Sequence, residues 1–201
     1  MTGKFIRNIK YYTGIVYEWN LPAGHTCPFA KECKVLVDQE TGKYTREGAG
    51  SFRCYASSAE RFPAVRKHRW SNYNFILSGG VPVIPDKCKH VRIHASGDFF
   101  SQDYFNTWIQ ICKDNLDIEF WAFTKSIRFW VDRLSYIPFN LTLTASYGGA
   151  DDALIKKYNL KNTRVFQSRE EAGDLPINTN DDYARIKQIN FALLDNNRRL
   201  K

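Results

Sequence analysis

Three cysteines near the N-terminus have the residue type and spacing that most clearly suggest chemistry. Cys27 and Cys33 lie six positions apart in the segment GHTCPFAKEC, and Cys54 follows in FRCYAS. Thiolates are soft ligands that select iron–sulfur clusters or zinc. Three of them suit a 4Fe-4S cluster with one open iron, whereas zinc needs a fourth ligand, such as His25 or His94. Because this spacing is not a common metal motif, incidental thiols are the alternative.

The composition indicates a folded protein from a reducing compartment. The chain has 201 residues, 43% of them hydrophobic, which is enough to bury the core of one domain. Its five cysteines cannot all pair, and cytosolic thiols stay reduced, so a disulfide framework is the weakest explanation for them. Neither a long apolar run nor a signal-peptide pattern is present, so we expect no membrane partner and a cytoplasmic location.

The excess of basic residues is compatible with a polyanionic partner. Lysine and arginine number 29 against 21 acidic residues, which gives a net charge of +8. This balance favours a nucleic acid or a nucleotide as partner or substrate. The basic residues are scattered, however, so a solvated basic surface explains them equally well.

Short apolar runs alternate with helical patterns, which is typical of βα units and a mainly parallel sheet. A complete eight-unit barrel takes ~250 residues, so we predict a partial or open (β/α) barrel instead. The expected organisation is one α/β domain over residues 1–201 with a cysteine-bearing loop region at about 20–58. The predicted strands are 13–21, 90–96, 118–126, 140–149 and 163–168, and the predicted helices are 60–78, 101–115, 129–136, 150–160 and 181–200.

Polar or glycine-containing segments follow these strands. Since ligands bind beyond the carboxyl ends of parallel strands, the residues there are candidates for a shared site. Two of them could act in catalysis, Lys125 as an anion-binding group or proton donor and His94 as a ligand or as support for one. The alternatives are a surface lysine and a satisfied core histidine. Strand alternation places His94 on the same face as Arg92 and Ser96. The candidate cofactor-binding residues are Ser96, Gly97, Asp98, Thr124 and Ser146.

The chain resembles the phage "gene product 88" domain family from the first cysteine loop to near the C-terminus. The resemblance lies in the cysteine segments and in the stretches RIHASGDFFSQDYFNTWIQIC and LPINTNDDYA. That family is remotely similar to radical SAM proteins, in which a cysteine loop after the first strand holds a 4Fe-4S cluster. The resemblance implies a radical-SAM-like fold and a location in the host cytoplasm. It also implies that the turn Ser96 to Asp98 receives the amine of S-adenosylmethionine; helix capping is the alternative role for Asp98.

Two functions of different classes follow from these observations. The first is an iron–sulfur protein, with the cluster on Cys27, Cys33 and Cys54 at the carboxyl-end mouth of the sheet, acting as a radical-SAM-like enzyme. The second is a non-catalytic nucleic-acid- or protein-binding module in which the same thiols form a structural iron–sulfur or zinc site.

Overall fold

The computed structural model describes residues 3–11, 14–46 and 54–195 and has a mixed α/β architecture. Its strands are β1 (Ile6–Tyr11), β2 (Gly14–Trp19), β3 (Leu36–Val37), β4 (Tyr44–Arg46), β5 (His90–Ile93), β6 (Glu119–Thr124), β7 (Leu141–Ser146), β8 (Asn162–Phe166) and β9 (Phe191–Leu194). Seven of these strands form the main sheet, and β3 and β4 pair separately.

The helices are short, apart from two: the later of these supplies several fully buried core residues, whereas the buried residues of the earlier one are polar or charged. They are α1 (Tyr55–Ser58), α2 (Pro63–Leu77), α3 (Gln102–Asp114), α4 (Ile127–Val131), α5 (Asp152–Lys157), α6 (Arg169–Ala172) and α7 (Asp182–Arg185). Pro63 opens α2 at a position where its missing N–H is not needed. The Ser101 side chain caps α3 by accepting a hydrogen bond from the Tyr104 N–H. Within the described part of the chain, no helix combines the length and apolar character needed to cross a bilayer.

The main sheet has the strand order β1-β2-β5-β6-β7-β8-β9. β1 pairs antiparallel with β2, and all the other neighbours are parallel. The expected mainly parallel α/β sheet is therefore confirmed. Because β2 and β5 to β9 point the same way, the loops that follow them emerge at one edge of the sheet, which positions the candidate site.

The two faces of the sheet carry different residues because side chains alternate along each strand. One face packs Trp19, Ile93 and Phe120 against the helices, with Trp108 of α3 in the same cluster. The other face carries a smaller cluster formed by Val16, Trp121, Ala184 and Phe191. A buried core on both faces explains the nearly continuous apolar sequence of β6.

The prediction of one closing helix over 181–200 is wrong. The segment contains the four-residue helix α7 and then β9, which pairs in parallel with β8. Phe191 is fully buried in the smaller cluster, so pairing at the sheet edge outweighs the helical propensity of this segment. Residues 196–200 of the predicted helix lie outside the described residues.

Candidate functional site

The three N-terminal cysteines are half-buried free thiols in one region of the molecule. Burial raises the pKa of all three, that of Cys33 to about 11 and that of Cys27 well above its usual value. Negative charge on Cys54 also raises the pKa of both Cys27 and Cys33, and charge on Cys33 acts on Cys27. Chain segments that are distant in sequence thus bring their thiols within electrostatic reach of one another.

The side chains do not form a compact ligand set in this conformation. Over residues 3–11, 14–46 and 54–195, no three His, Cys, Asp or Glu side chains lie close enough together to hold a metal ion. The two remaining cysteines, Cys88 and Cys112, are buried in the core, as expected from their positions before β5 and within α3.

The first cysteine loop is docked on the turn that follows β7. The backbone N–H groups of Lys31 and Glu32 donate to the Gly148 carbonyl at 3.0 and 3.1 Å. Gly148 has a φ of +93°, and a Cβ atom there would lie 2.6 Å from the Glu32 carboxylate oxygen Oε2. The positive φ favours glycine, and a side chain here would displace the Glu32 carboxylate; the two hydrogen bonds to the Gly148 carbonyl help to position the 27–33 loop.

Asp98 lies at the centre of a hydrogen-bond network across the carboxyl ends of β5 and β6. Its Oδ1 accepts from the Thr124 hydroxyl at 2.6 Å and from the Phe99 N–H at 2.7 Å, and its Oδ2 accepts from the Lys125 N–H at 2.8 Å. Burial raises the pKa of Asp98 to about 6, although these hydrogen bonds act in the opposite direction.

Lys125 extends the network to β7. Its ammonium group donates to the Ser146 hydroxyl at 2.7 Å, to the Ser146 carbonyl at 3.2 Å and to the Tyr147 carbonyl. Its positive charge also lowers the pKa of Cys33, against the larger effect of burial. The structure therefore gathers Asp98, Thr124, Lys125 and Ser146 into one network beside the thiols.

The turn from Ser96 to Asp98 packs directly against the first cysteine loop. The Ser96 hydroxyl donates to the Leu21 carbonyl at 2.9 Å. A Cβ atom on Gly97, whose φ is +88°, would lie 2.6 Å from the Thr26 hydroxyl oxygen. These contacts show a structural role for the turn; its role in cofactor binding stays a prediction.

His94 lies on the helix-packed face of the sheet and not on the face of Arg92. β5 ends at Ile93, and His94 adopts a left-handed φ of 63°, which breaks the strand alternation. Its Nε2 is 2.9 Å from the Tyr104 hydroxyl, and burial lowers its pKa to about 3. Arg92 instead pairs with Asp181 at 3.0 Å.

Sequence reasoning missed three residues that surround Cys54. Glu60 and Arg69 form a buried ion pair at 3.0 Å, and both charges act on Cys54. The Tyr55 hydroxyl donates to the Ala95 carbonyl at 2.7 Å and thereby ties α1 to the end of β5. Charged residues are usually exposed, so no local pattern marked Glu60 and Arg69 as buried partners.

The chain is similar to a group of phage proteins. The family model described as "Gene product 88" matches residues 4–199. The Gene 88 protein of Mycobacterium phage L5 is 49% identical in an aligned part that covers 36% of this chain and 38% of that protein. The Gene 88 protein of Mycobacterium phage D29 is 46% identical over 18% of this chain and 15% of its own length. The chain thus spans less than half the length of the curated relatives it matches.

No solved structure matches this chain. The family match extends over nearly the whole sequence and includes the cysteine loop, the turn after β5 and the final strand. The chain belongs to the Gene product 88 family.

Proposed function

We propose that this protein binds an iron–sulfur cluster of the 4Fe-4S type through Cys27, Cys33 and Cys54. The observation that carries the proposal is that both cysteine segments are held at the end of β5. The Tyr55 hydroxyl, next to Cys54, donates to the Ala95 carbonyl at 2.7 Å, and the Leu21 N–H, before the first cysteine loop, donates to the Ser96 carbonyl at 2.9 Å. Soft thiolates select such clusters. The position beside the carboxyl edge of a parallel sheet adds support, since this is where α/β proteins bind ligands.

The arrangement favours a cluster over zinc. A zinc ion binds sulfur at ~2.3 Å, so its ligands must converge closely, whereas the thiolates of a cluster bind separate iron atoms. A zinc site would also need a fourth ligand. His94 does not suit this role, because it is buried against Tyr104 and Phe99 in the helix-packed core. His25 uses one ring nitrogen for the Val37 carbonyl at 2.9 Å.

If the protein is an enzyme, we propose that it is radical-SAM-like. The order of the parallel strands follows the chain without reversal, as in a partial or open barrel, whereas doubly wound sheets reverse their order. S-Adenosylmethionine would bind at the open iron near Ser96, Gly97, Asp98, Thr124 and Ser146. Asp98 Oδ1 accepts two internal hydrogen bonds and Oδ2 accepts one, and a carboxylate offers about four acceptor sites, so an incoming amine would bind at Oδ2 once it reached this buried group.

The burial of Asp98, which is only 6% exposed, favours a second candidate, a non-catalytic module with a structural cluster. In this alternative, the network of Asp98 and Lys125 only holds the loops around the thiols. The partner would be a nucleic acid or a protein in the host cytoplasm, and net charge alone points to nucleic acid.

Anaerobic purification followed by iron, sulfide and zinc analysis tests cluster binding. We expect a brown protein that absorbs near ~400 nm through thiolate-to-iron charge transfer and contains equal amounts of iron and sulfide. A colourless protein with stoichiometric zinc, or with no metal after reconstitution, would contradict the proposal.

Titration of the reconstituted protein with S-adenosylmethionine separates the two candidates. A change in the EPR spectrum of the reduced cluster on addition of the cofactor supports the enzyme. An unchanged spectrum and no measurable affinity support the structural module.

A further inference from the structure

A buried ion pair lies between the two segments that carry the site cysteines. Glu60, in the short 3-10 turn after α1, is fully buried, and Arg69 of α2 is 7% exposed. Their side chains meet at 3.0 Å, between the Arg69 Nη1 and the Glu60 Oε1. The pair therefore joins two elements that follow Cys54 in the chain.

Each member of the pair also binds backbone close to a cysteine. The Ala23 N–H, at the entrance to the first cysteine loop, donates to the Glu60 Oε1 at 2.6 Å. The Arg69 Nη1 donates to the carbonyl of Ala56, two residues after Cys54, at 2.7 Å. Through these contacts the loop of Cys27 and the segment of Cys54 share one rigid connection.

Stability alone is a poor explanation for such a pair. Removing two charges from water costs several kcal/mol, and apolar replacements of similar size are often neutral or stabilising. The better-attested role of buried ionic groups is to fix one arrangement of the chain over others. Here the arrangement that is fixed is the approach of Cys54 to the first cysteine loop.

We propose that Glu60 and Arg69 are positioning residues that set the distance of the Cys54 thiol from the thiols of Cys27 and Cys33. The consequence for cluster binding rests on the proposed function, but the distance itself exists in the metal-free protein. It can therefore be measured independently of any cluster.

The test variant is Glu60→Leu combined with Arg69→Met, which keeps the buried volume filled and removes the hydrogen bonds to Ala23 and Ala56. Metal-free protein is treated with bis(maleimido)ethane, and the cross-linked cysteine pairs are identified by mass spectrometry. We expect the yield of the Cys27–Cys54 link to fall at least about tenfold, since each of the two lost charged hydrogen bonds is worth about that factor in the population of the close arrangement. The Cys27–Cys33 link, within one loop, is the internal control and should not change.

Two further variants distinguish positioning from general destabilisation. Glu60→Gln keeps an oxygen acceptor for Ala23 and Arg69 and should retain most of the Cys27–Cys54 link. Replacing the exposed pair Lys89 and Asp117, which meet at 2.9 Å, by alanine removes an ion pair far from these contacts and should leave the link unchanged. If the Leu/Met variant does not fold, Glu60→Gln with Arg69→Met takes its place; it removes the ion pair and the bond to Ala56 but keeps the acceptor for Ala23, so we expect a smaller but still measurable fall.

A folded variant that lacks these bonds but keeps the wild-type Cys27–Cys54 yield would overturn the positioning role. Iron analysis of the same proteins separates this failure from that of cluster binding. Wild-type protein without iron, together with a fall in the link, would refute the cluster and support the positioning role. Wild-type protein with iron, together with an unchanged Cys27–Cys54 link in the variant, would support the cluster and refute the positioning role.

Discussion

His94 shows how one backbone angle decides what a candidate catalytic residue contacts. Its left-handed conformation turns the imidazole toward Tyr104 and Phe99, with ring centroids 5.6 and 4.7 Å away. Burial keeps the ring neutral by lowering its pKa to about 3. A buried neutral histidine can accept the Tyr104 hydroxyl proton in a hydrogen bond, which fits a core role.

The same shift predicts a pH-dependent stability. The unfolded chain takes up a proton on His94 below pH ~6.5, whereas the folded chain does so only near pH 3, so unfolding binds protons in this window. The His94 contribution to the free energy of unfolding should therefore fall by up to ~1.4 kcal/mol per pH unit as the pH drops from 6.5 toward 3.

Urea unfolding at pH 5 and pH 7 checks this prediction, with His94→Asn as the comparison. Asparagine tolerates positive φ and does not titrate, so the variant should lose less stability than the wild type between these pH values. Equal pH dependence in both proteins would show that His94 does not carry the effect.

Among the elements, α3 is the helix most fully encoded by its own sequence. Ser101 caps it, and Tyr104, Phe105, Trp108 and Cys112 follow at helical spacing and are buried. The prediction from this pattern is close to the observed bounds because capping and periodicity agree. The tail differs, since its short apolar run fits a helix or a strand, and only its neighbour β8 decides between them.

Trp108 should contribute strongly to the stability of the packed helix layer. It is fully buried and contacts Trp19 with ring centroids 6.3 Å apart. We expect Trp108→Ala to cost about 3–5 kcal/mol of unfolding free energy, measured by urea titration. Gln110→Ala, at an exposed position of α3, should change it by less than ~0.5 kcal/mol, and a comparable loss in both variants would contradict this assignment.

The turn after β7 should determine the position of the first cysteine loop. Gly148→Ala adds a Cβ atom 2.6 Å from the Glu32 carboxylate oxygen as well as unfavourable positive φ. Gly79→Ala has the same kind of φ, +84°, with no atom within 4 Å of the new Cβ, so it is a matched control.

We expect both alanine variants to lose about 1 kcal/mol of stability from the backbone conformation. Only Gly148→Ala should also lower the iron content after reconstitution, because its new Cβ would lie 3.2 Å from the Glu32 Cβ, close enough to the backbone to push on the 27–33 loop. Equal iron content in the two variants would show that this turn does not position the cysteine loop for cluster binding.

At the scale of the whole molecule, the parallel sheet makes the location of the site predictable from the sequence. The long-range contacts around the site are not predictable in this way. Parallel strands must end at a common edge, so the order of the strands along the chain is enough to predict that Asp98, Thr124, Lys125 and Ser146 lie together. The connection through Glu60 and Arg69 depends on which buried backbone groups they meet, and no spacing in the chain encodes those partners. The same holds for His94, whose face depends on where β5 ends.

The iron content of single-cysteine variants tests most directly whether three thiols share one iron–sulfur cluster. After anaerobic reconstitution, wild-type protein should hold about four iron atoms per chain. Cys27→Ala, Cys33→Ala and Cys54→Ala should each lose most of this iron, while Cys88→Ala and Cys112→Ala should keep it. Wild-type iron content in the Cys54→Ala variant would contradict the claim, because the cluster would then not need the thiol that the fold brings back to the first loop.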